Sequence, residues 1–173
     1  MGKKLVLTVC SGNIHRSVIA QLCLGRELVN IRKETELEIL SRGIQGMMGT
    51  EAPKYFNLRS YKMEYRHTEP CLSEIGIKIP LNQQAIPIDK AIVEQASLIL
   101  AMDESVLGSL IWQFSGHSSK MRLFMELVGK KEDVPDCGGV NDATFHRKVV
   151  MSINEVAKAG IHNMIRYVCE SFE

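Results

Sequence analysis

No stretch of this chain is apolar for long enough to span a bilayer. The start, Met1-Gly2-Lys3-Lys4, runs straight into an apolar segment and lacks a signal-peptide pattern. Val6 occupies the position where a myristoylation motif needs Ser or Thr, so Gly2 heads no such motif. Net charge is small: 21 Lys and Arg against 20 Asp and Glu leave +1 at pH 7. No global field therefore points to nucleic acid or to a membrane surface. Cys10, Cys23, Cys71, Cys137 and Cys169 show neither a CxxC pair nor paired spacing. That argues against a disulfide scaffold or a zinc site, and for reduced thiols in a cytoplasmic compartment. His15, His67, His117, His146 and His162 are scattered and suggest no metal constellation, with His15 expected to face solvent. Repeats, low-complexity tracts and linkers are missing, and 173 residues suit one domain with a sizeable core, expected to span 1–173. The lone Trp112 and the nine Met read as core filler.

What is present is concentrated in Leu5 to Gln21, LVLTVCSGNIHRSVIAQ. Leu5-Val6-Leu7-Thr8-Val9 is apolar and β-branched, and reads as a strand buried on both faces. Ser11, Gly12 and Asn13 are turn formers, with Gly12 free to take a positive φ. From Arg16 onward Val18, Ile19, Leu22, Leu24, Leu28 and Val29 make one broad apolar helical face. Cys10 thus sits at a strand tip, in a short loop that opens a helix. Such a turn aims successive backbone N–H groups into one concavity, and the helix start adds partial positive charge. An anion is stabilised there, and the same field favours a thiolate at Cys10. Arg16 adds a fork that grips two oxygens of a phosphate-like group, and Ser17 can donate its hydroxyl to the sulfur. One loop then holds a nucleophile and a cradle for a tetrahedral oxyanion. A lone cysteine ending a core strand is most often simply buried. The arginine six positions on, at a strand-to-helix turn, outweighs that reading.

Cys10-Ser11-Gly12-Asn13-Ile14-His15-Arg16-Ser17 resembles the C-x-G-N-x-x-R-S phosphate loop of the low-molecular-weight protein tyrosine phosphatases. The resemblance implies a doubly wound α/β fold, with a four-stranded parallel sheet and helices on both faces. It implies a phosphomonoester hydrolase, a protein tyrosine phosphatase, working through a cysteinyl-phosphate intermediate. No metal or other cofactor is needed, because loop dipoles and Arg16 supply the positive charge. Cys10 and Arg16 would be catalytic, and Ser11, Gly12, Asn13, Ile14, His15 and Ser17 would bind substrate. Proton delivery to the leaving oxygen requires an acid, which the family carries in a late loop as Asp-Pro. Here the loop 129–140 offers Asp136, with Asp133 as its competitor. The family's strand-Met-Asp pattern matches Leu98 to Asp103, and its second-strand serine matches Ser41, with Gly43 after it. The chain departs from the family at His15, Val18 and Cys137, at Gly138-Gly139 in place of aromatics, and in the segment 50–84.

The remaining sequence reads as alternating strands and helices. Leu37 to Ser41 is a second strand, followed by a glycine-rich loop, Arg42 to Gly49, at the same sheet edge as Cys10. Glu51-Ala52-Pro53 is a possible helix start, and Glu69 to Gly76 a short helix. The aromatic and basic residues between them read as core packing and a solvated face. Asp89 caps a helix over Lys90 to Gln95, Ser97 to Met102 is a buried strand, and Glu104 to Phe114 is helical. Met121 to Phe124 is a fourth strand, and Asn141-Asp142 caps a long helix toward Ser171. The expected substrate is a phosphorylated protein or a small aryl phosphate, a choice that Ile14 favours. Two rivals remain: a non-catalytic phosphopeptide-binding module, and a thiol-dependent arsenate reductase, which lacks its relay cysteines near Asn82 and Asp89.

Overall fold

The computed structural model describes residues 2–170. Its elements run β1 (Lys4–Cys10), α1 (Arg16–Asn30), β2 (Leu37–Gly43), α2 (Lys62–Glu74), α3 (Lys90–Gln95), β3 (Ala96–Ala101), α4 (Glu104–Gln113), β4 (Met121–Leu123) and α5 (Ala143–Glu170). The four strands form one parallel sheet in the order β2-β1-β3-β4. The chain winds outward from β1 in one direction to β2 and in the other to β3, so β1 lies at the switch point. In such sheets ligands bind beyond the carboxyl ends of the strands at that point. Cys10 is the last residue of β1.

Apolar side chains on both faces of the strands explain why the sheet is sandwiched. Val6, Leu98 and Leu100 enter one core with Ile19 and Leu24 of α1 and Val149, Ile153 and Ile161 of α5. Leu7, Val9, Ile99 and Ala101 enter the other, with Val93 of α3 and Val106 and Leu110 of α4. Leu7, Leu98, Ile99 and Leu100 are fully buried, each contributing about 1.5–3 kcal/mol through burial. Among the described residues no helix is long and apolar enough to cross a membrane. The end of the last helix expected at Ser171 lies outside the described residues.

Three helix starts follow the sequence reading. The side chain of Asp89 accepts from the Ile92 N–H at 2.9 Å, Asp103 from Val106 at 2.7 Å, and Asp142 from Thr144 at 2.8 Å. The segment 50–84 departs from it. No helix begins at Glu51-Ala52-Pro53; the chain instead makes a 3-10 turn at Leu58–Ser60, fixed by reciprocal bonds between Asn57 and Ser60. The following helix covers Lys62–Glu74, starting seven residues ahead of the stretch expected, with Pro70 inside it. Pro70 disguised the helix because a proline removes a donor and clashes with the preceding turn. Gly76, at φ 70, ends it. Strand β2 also runs two residues past Ser41, because its ladder with β1 continues to the pair Cys10 and Gly43.

The far end of β2 holds the Cys10 loop in place. The Ile44 N–H donates to the Cys10 carbonyl at 3.1 Å and Gln45 N–H to the Ser11 carbonyl at 3.0 Å. Only glycine fits at position 43, since a Cβ there would lie 2.9 Å from the Ser11 carbonyl oxygen and 3.0 Å from Asn13. The glycine-rich loop after β2 therefore lies at the Cys10 edge, as its place in the sequence indicates.

Candidate active site

Residues Cys10 to Ser17 wrap the end of β1 and lead into α1. The left-handed residue is Asn13, at φ 54, and not Gly12. Asn tolerates that conformation better than most residues because its side chain bonds locally. Asn13 Nδ2 donates to Ser17 Oγ at 3.1 Å, and its Oδ1 accepts from the Ile86 N–H at 2.9 Å. Since Ser17 Oγ accepts from Asn13, its own proton is free for the Cys10 sulfur, 3.0 Å away. The Asn13 backbone N–H reaches the same sulfur at 3.2 Å. Two donors thus point at Cys10 Sγ.

Arg16 is 3% exposed, and its charge is met inside the fold. Nη1 donates to Asp103 Oδ2 at 2.6 Å and to the Val134 carbonyl at 2.8 Å, and Nη2 lies 3.2 Å from Asp136 Oδ2. Burial opposes its charge, but Cys10, Asp136 and Asp103 outweigh that and hold the guanidinium even more firmly protonated. Asp103 therefore does two jobs: one oxygen caps α4 and the other fixes Arg16. The sequence reading matched Asp103 to the strand-Met-Asp pattern and assigned it neither job.

Asp136 and Asp133, the two acid candidates, separate clearly in space. Asp136 lines the same pocket as Cys10, Ile14 and Arg16. Asp133 instead accepts from the Glu104 N–H at 2.8 Å. The loop carrying Asp136 is pinned to the sheet by the Val134 N–H donating to the Met102 carbonyl at 2.8 Å. The pocket has a volume of about 190 Å³, below the range of about 300–1,000 Å³ typical of sites that engulf a whole small molecule.

Several lining residues escaped the sequence reading. Tyr55 and Tyr61 stack with ring centroids 4.0 Å apart and planes 10° from parallel, and both line the pocket beside Lys54. These aromatics are therefore not core packing. They stand where Gly138 and Gly139 provide no wall, and the Gly139 N–H donates to the Tyr61 hydroxyl at 3.0 Å. Glu64 of α2 is 2% exposed and also lines the pocket. Burial first, then the charge of Asp136, pushes its carboxyl up to about 7. No local signal marks the pair Tyr61 and Glu64, since Tyr61 lies just ahead of α2 and the loop that both face is far along the chain.

His15 does not face solvent; it is 3% exposed. Nor are the histidines all scattered: donor atoms of His15, Cys137 and His146 lie within 4.8 Å of one another. A hydrogen-bond chain accounts for most of this cluster. The Val140 carbonyl accepts from His146 Nε2 at 2.7 Å, so His146 Nδ1 bears the lone pair that receives the Thr68 hydroxyl proton at 2.9 Å. Thr68 Oγ1 in turn accepts from His15 Nε2 at 2.9 Å. Both His146 nitrogens are committed, which disfavours a metal ion there, and His15 Nδ1 is left without a partner. Burial holds His15 neutral, down to about 3, and pushes the Cys137 thiol up to about 12. The cluster ties the phosphate loop to α2, α5 and the Asp136 loop.

Comparison with known proteins places this geometry. No curated protein matches the chain. Among solved structures, a low molecular weight protein tyrosine phosphatase from T. tengcongensis is 27% identical, with a TM-score of 0.77 over 93% of this chain and 99% of its own. A mutant of YwlE from Bacillus subtilis (21% identity, TM-score 0.74, covering 94% and 99%) shares the fold. So does a low molecular weight phosphotyrosine phosphatase from Vibrio cholerae O395 (20%, 0.74, covering 94% and 97%). Residues 5–166 match the family model for low molecular weight phosphotyrosine protein phosphatases. The chain belongs to that family, and is a cysteine-dependent phosphatase.

Proposed function

We propose that the chain is a protein tyrosine phosphatase of the cytoplasm, acting as one domain over 1–173 on phosphorylated proteins or small aryl phosphates. Cys10, Arg16 and Asp136 carry the chemistry. The observation behind this reading is the convergence on one pocket of a sulfur with two donors, a buried arginine and a carboxyl. The Cys10 thiolate attacks phosphorus in line. Backbone N–H groups of Ser11 to Ser17 and the Arg16 guanidinium hold the equatorial oxygens. Binding of the dianion displaces Asp136 from Arg16; its carboxyl, which takes up a proton once the ion pair is lost, passes that proton to the leaving phenoxide. Water then hydrolyses the cysteinyl phosphate, giving its proton to Asp136, and Ser17 receives the sulfur again as thiolate.

Ile14 at the pocket floor and the Tyr55–Tyr61 stack suit a flat ring. The solved structure of Vibrio vulnificus Wzb, 21% identical to this chain, is a complex with benzylphosphonate, which agrees with an aryl substrate. The test is single-turnover hydrolysis of p-nitrophenyl phosphate by wild type, Cys10→Ser and Asp136→Ala. A fast burst that Cys10→Ser abolishes and Asp136→Ala slows supports the reading. Vanadate binding with no burst in the wild type contradicts it and makes the loop a phosphate receptor.

A further inference from the structure

The catalytic pocket holds a second carboxyl for which the proposed mechanism has no use. Glu64 projects from the first turn of α2 into the space lined by Cys10, Arg16 and Asp136. It is almost wholly enclosed, and the Gly139 N–H, in the same loop as Asp136, donates to the hydroxyl of Tyr61, three residues ahead of Glu64. The charged and titratable groups around it come from every neighbouring element: Arg16 at the start of α1, Cys10 and His15 in the phosphate loop, Asp136 and Cys137 in the acid loop, and Lys54, Tyr55 and Tyr61 ahead of α2. Of the two carboxyls, Asp136 accepts from the Gly138 N–H at 3.0 Å on one oxygen and pairs with Arg16 Nη2 at 3.2 Å through the other. Its side chain is 59% exposed. The enclosed Glu64 is the better place to store a proton near neutrality, with burial raising it to about 7.

We propose that Glu64 and Asp136 form a carboxyl pair sharing one proton, with Glu64 the positioning residue that keeps the general acid loaded at neutral pH. The idea rests on the phosphatase reading above. In the first step the S–P bond forms and the P–O ester bond breaks. The shared proton passes to the leaving oxygen, leaving both carboxylates ionised. Their mutual repulsion in an enclosed site then favours recapture of a proton. In the second step water adds its oxygen to phosphorus as the S–P bond breaks, and the proton it gives up returns to the pair. The thiolate and the singly protonated pair are both restored.

The pH profile of kcat/KM with phenyl phosphate tests this, because its leaving group depends strongly on the acid. Glu64→Gln keeps the size and shape of the side chain but cannot share the proton. The alkaline limb of its profile should move to lower pH by about one pH unit, a loss of about tenfold on that limb. A merely structural Glu64 would leave the limb where it is in wild type, and that result overturns the proposal. Should Glu64→Gln not fold, carboxyl-carbon NMR titration of Glu64 in wild type and in Asp136→Asn decides. The Glu64 midpoint should fall when the Asp136 charge is removed; an unmoved midpoint rejects the pair. Loss of Cys10-dependent turnover in the wild type would reject the phosphatase reading instead, and leaves the NMR coupling to stand or fall separately.

Discussion

Asn13 carries the strain of the phosphate loop. It holds φ 54 and bonds both Ser17 and Ile86 through its side chain. Replacing it by alanine keeps the strained backbone, costing roughly 1–2 kcal/mol, and drops two hydrogen bonds worth about 1 kcal/mol each. Asn13→Gly relieves the strain and loses only the bonds. Urea unfolding should therefore rank the two variants with Asn13→Ala less stable by about 1–2 kcal/mol; equal midpoints would mean the loop is not held in this conformation. Gly43 makes a complementary case. Its Cβ would meet the Ser11 carbonyl at 2.9 Å, so Gly43→Ala should shift the loop and lower kcat/KM for p-nitrophenyl phosphate about tenfold or more, since small misplacements near reacting groups are costly. Unchanged kinetics would show that the close approach is not needed.

At the scale of elements, α5 is seated on the 3-10 turn Phe124–Val128 through Gly160. A Cβ there would lie 2.5 Å from Leu127 Cβ and 3.0 Å from its carbonyl oxygen. Gly160→Ala would gain about 1 kcal/mol of helix propensity but forces a repacking that costs typically about 1–3 kcal/mol. The clash with backbone cannot be relieved by a rotamer change, so thermal unfolding should show a net loss; a stabilised variant would mean the turn gives way freely. The elements also show what the sequence could and could not disclose. The apolar run of β1, the capping residues Asp89, Asp103 and Asp142, and the Cys10 to Ser17 loop all act locally, and local signals are visible in a string of letters. The helix Lys62–Glu74 was obscured by Pro70 and by its low hydrophobicity. His15, Thr68 and His146 were unreadable as a unit because only the packing of α1, α2 and α5 joins residues so distant in the chain. Tyr55, Tyr61 and Glu64 were missed for the same reason, since the loop they face comes some 75 residues later, as in the Tyr61 bond to Gly139, 78 positions on.

For the whole molecule, two buried groups pull stability in opposite directions with pH. His15 sits at about 3 against an ordinary 6.5, through burial, His146 and Arg16. Between those values the unfolded chain binds a proton that the folded chain refuses, so stability falls as pH drops through that window. Glu64 sits at about 7 against 4.5. There the folded chain keeps a proton that the unfolded chain releases, so stability falls as pH rises. Each slope is bounded by about 1.4 kcal/mol per pH unit, and the two oppose each other where the windows overlap. Guanidinium unfolding at about pH 5 and about pH 6.5 separates them. Relative to wild type, His15→Gln should lose stability on raising the pH and Glu64→Gln should gain it. Two changes of the same sign would contradict the charge states assigned here.

The central claim is that Cys10 forms a covalent bond to phosphorus with Asp136 as proton donor and acceptor. The most direct measurement is peptide mass spectrometry of the Asp136→Ala variant, acid-quenched during p-nitrophenyl phosphate turnover, where hydrolysis of the intermediate is slowed. The account predicts a phosphoryl adduct confined to the peptide bearing Cys10 and absent from Asp136→Ala/Cys10→Ser. Steady turnover with no adduct on Cys10, or an adduct on another side chain, would contradict it.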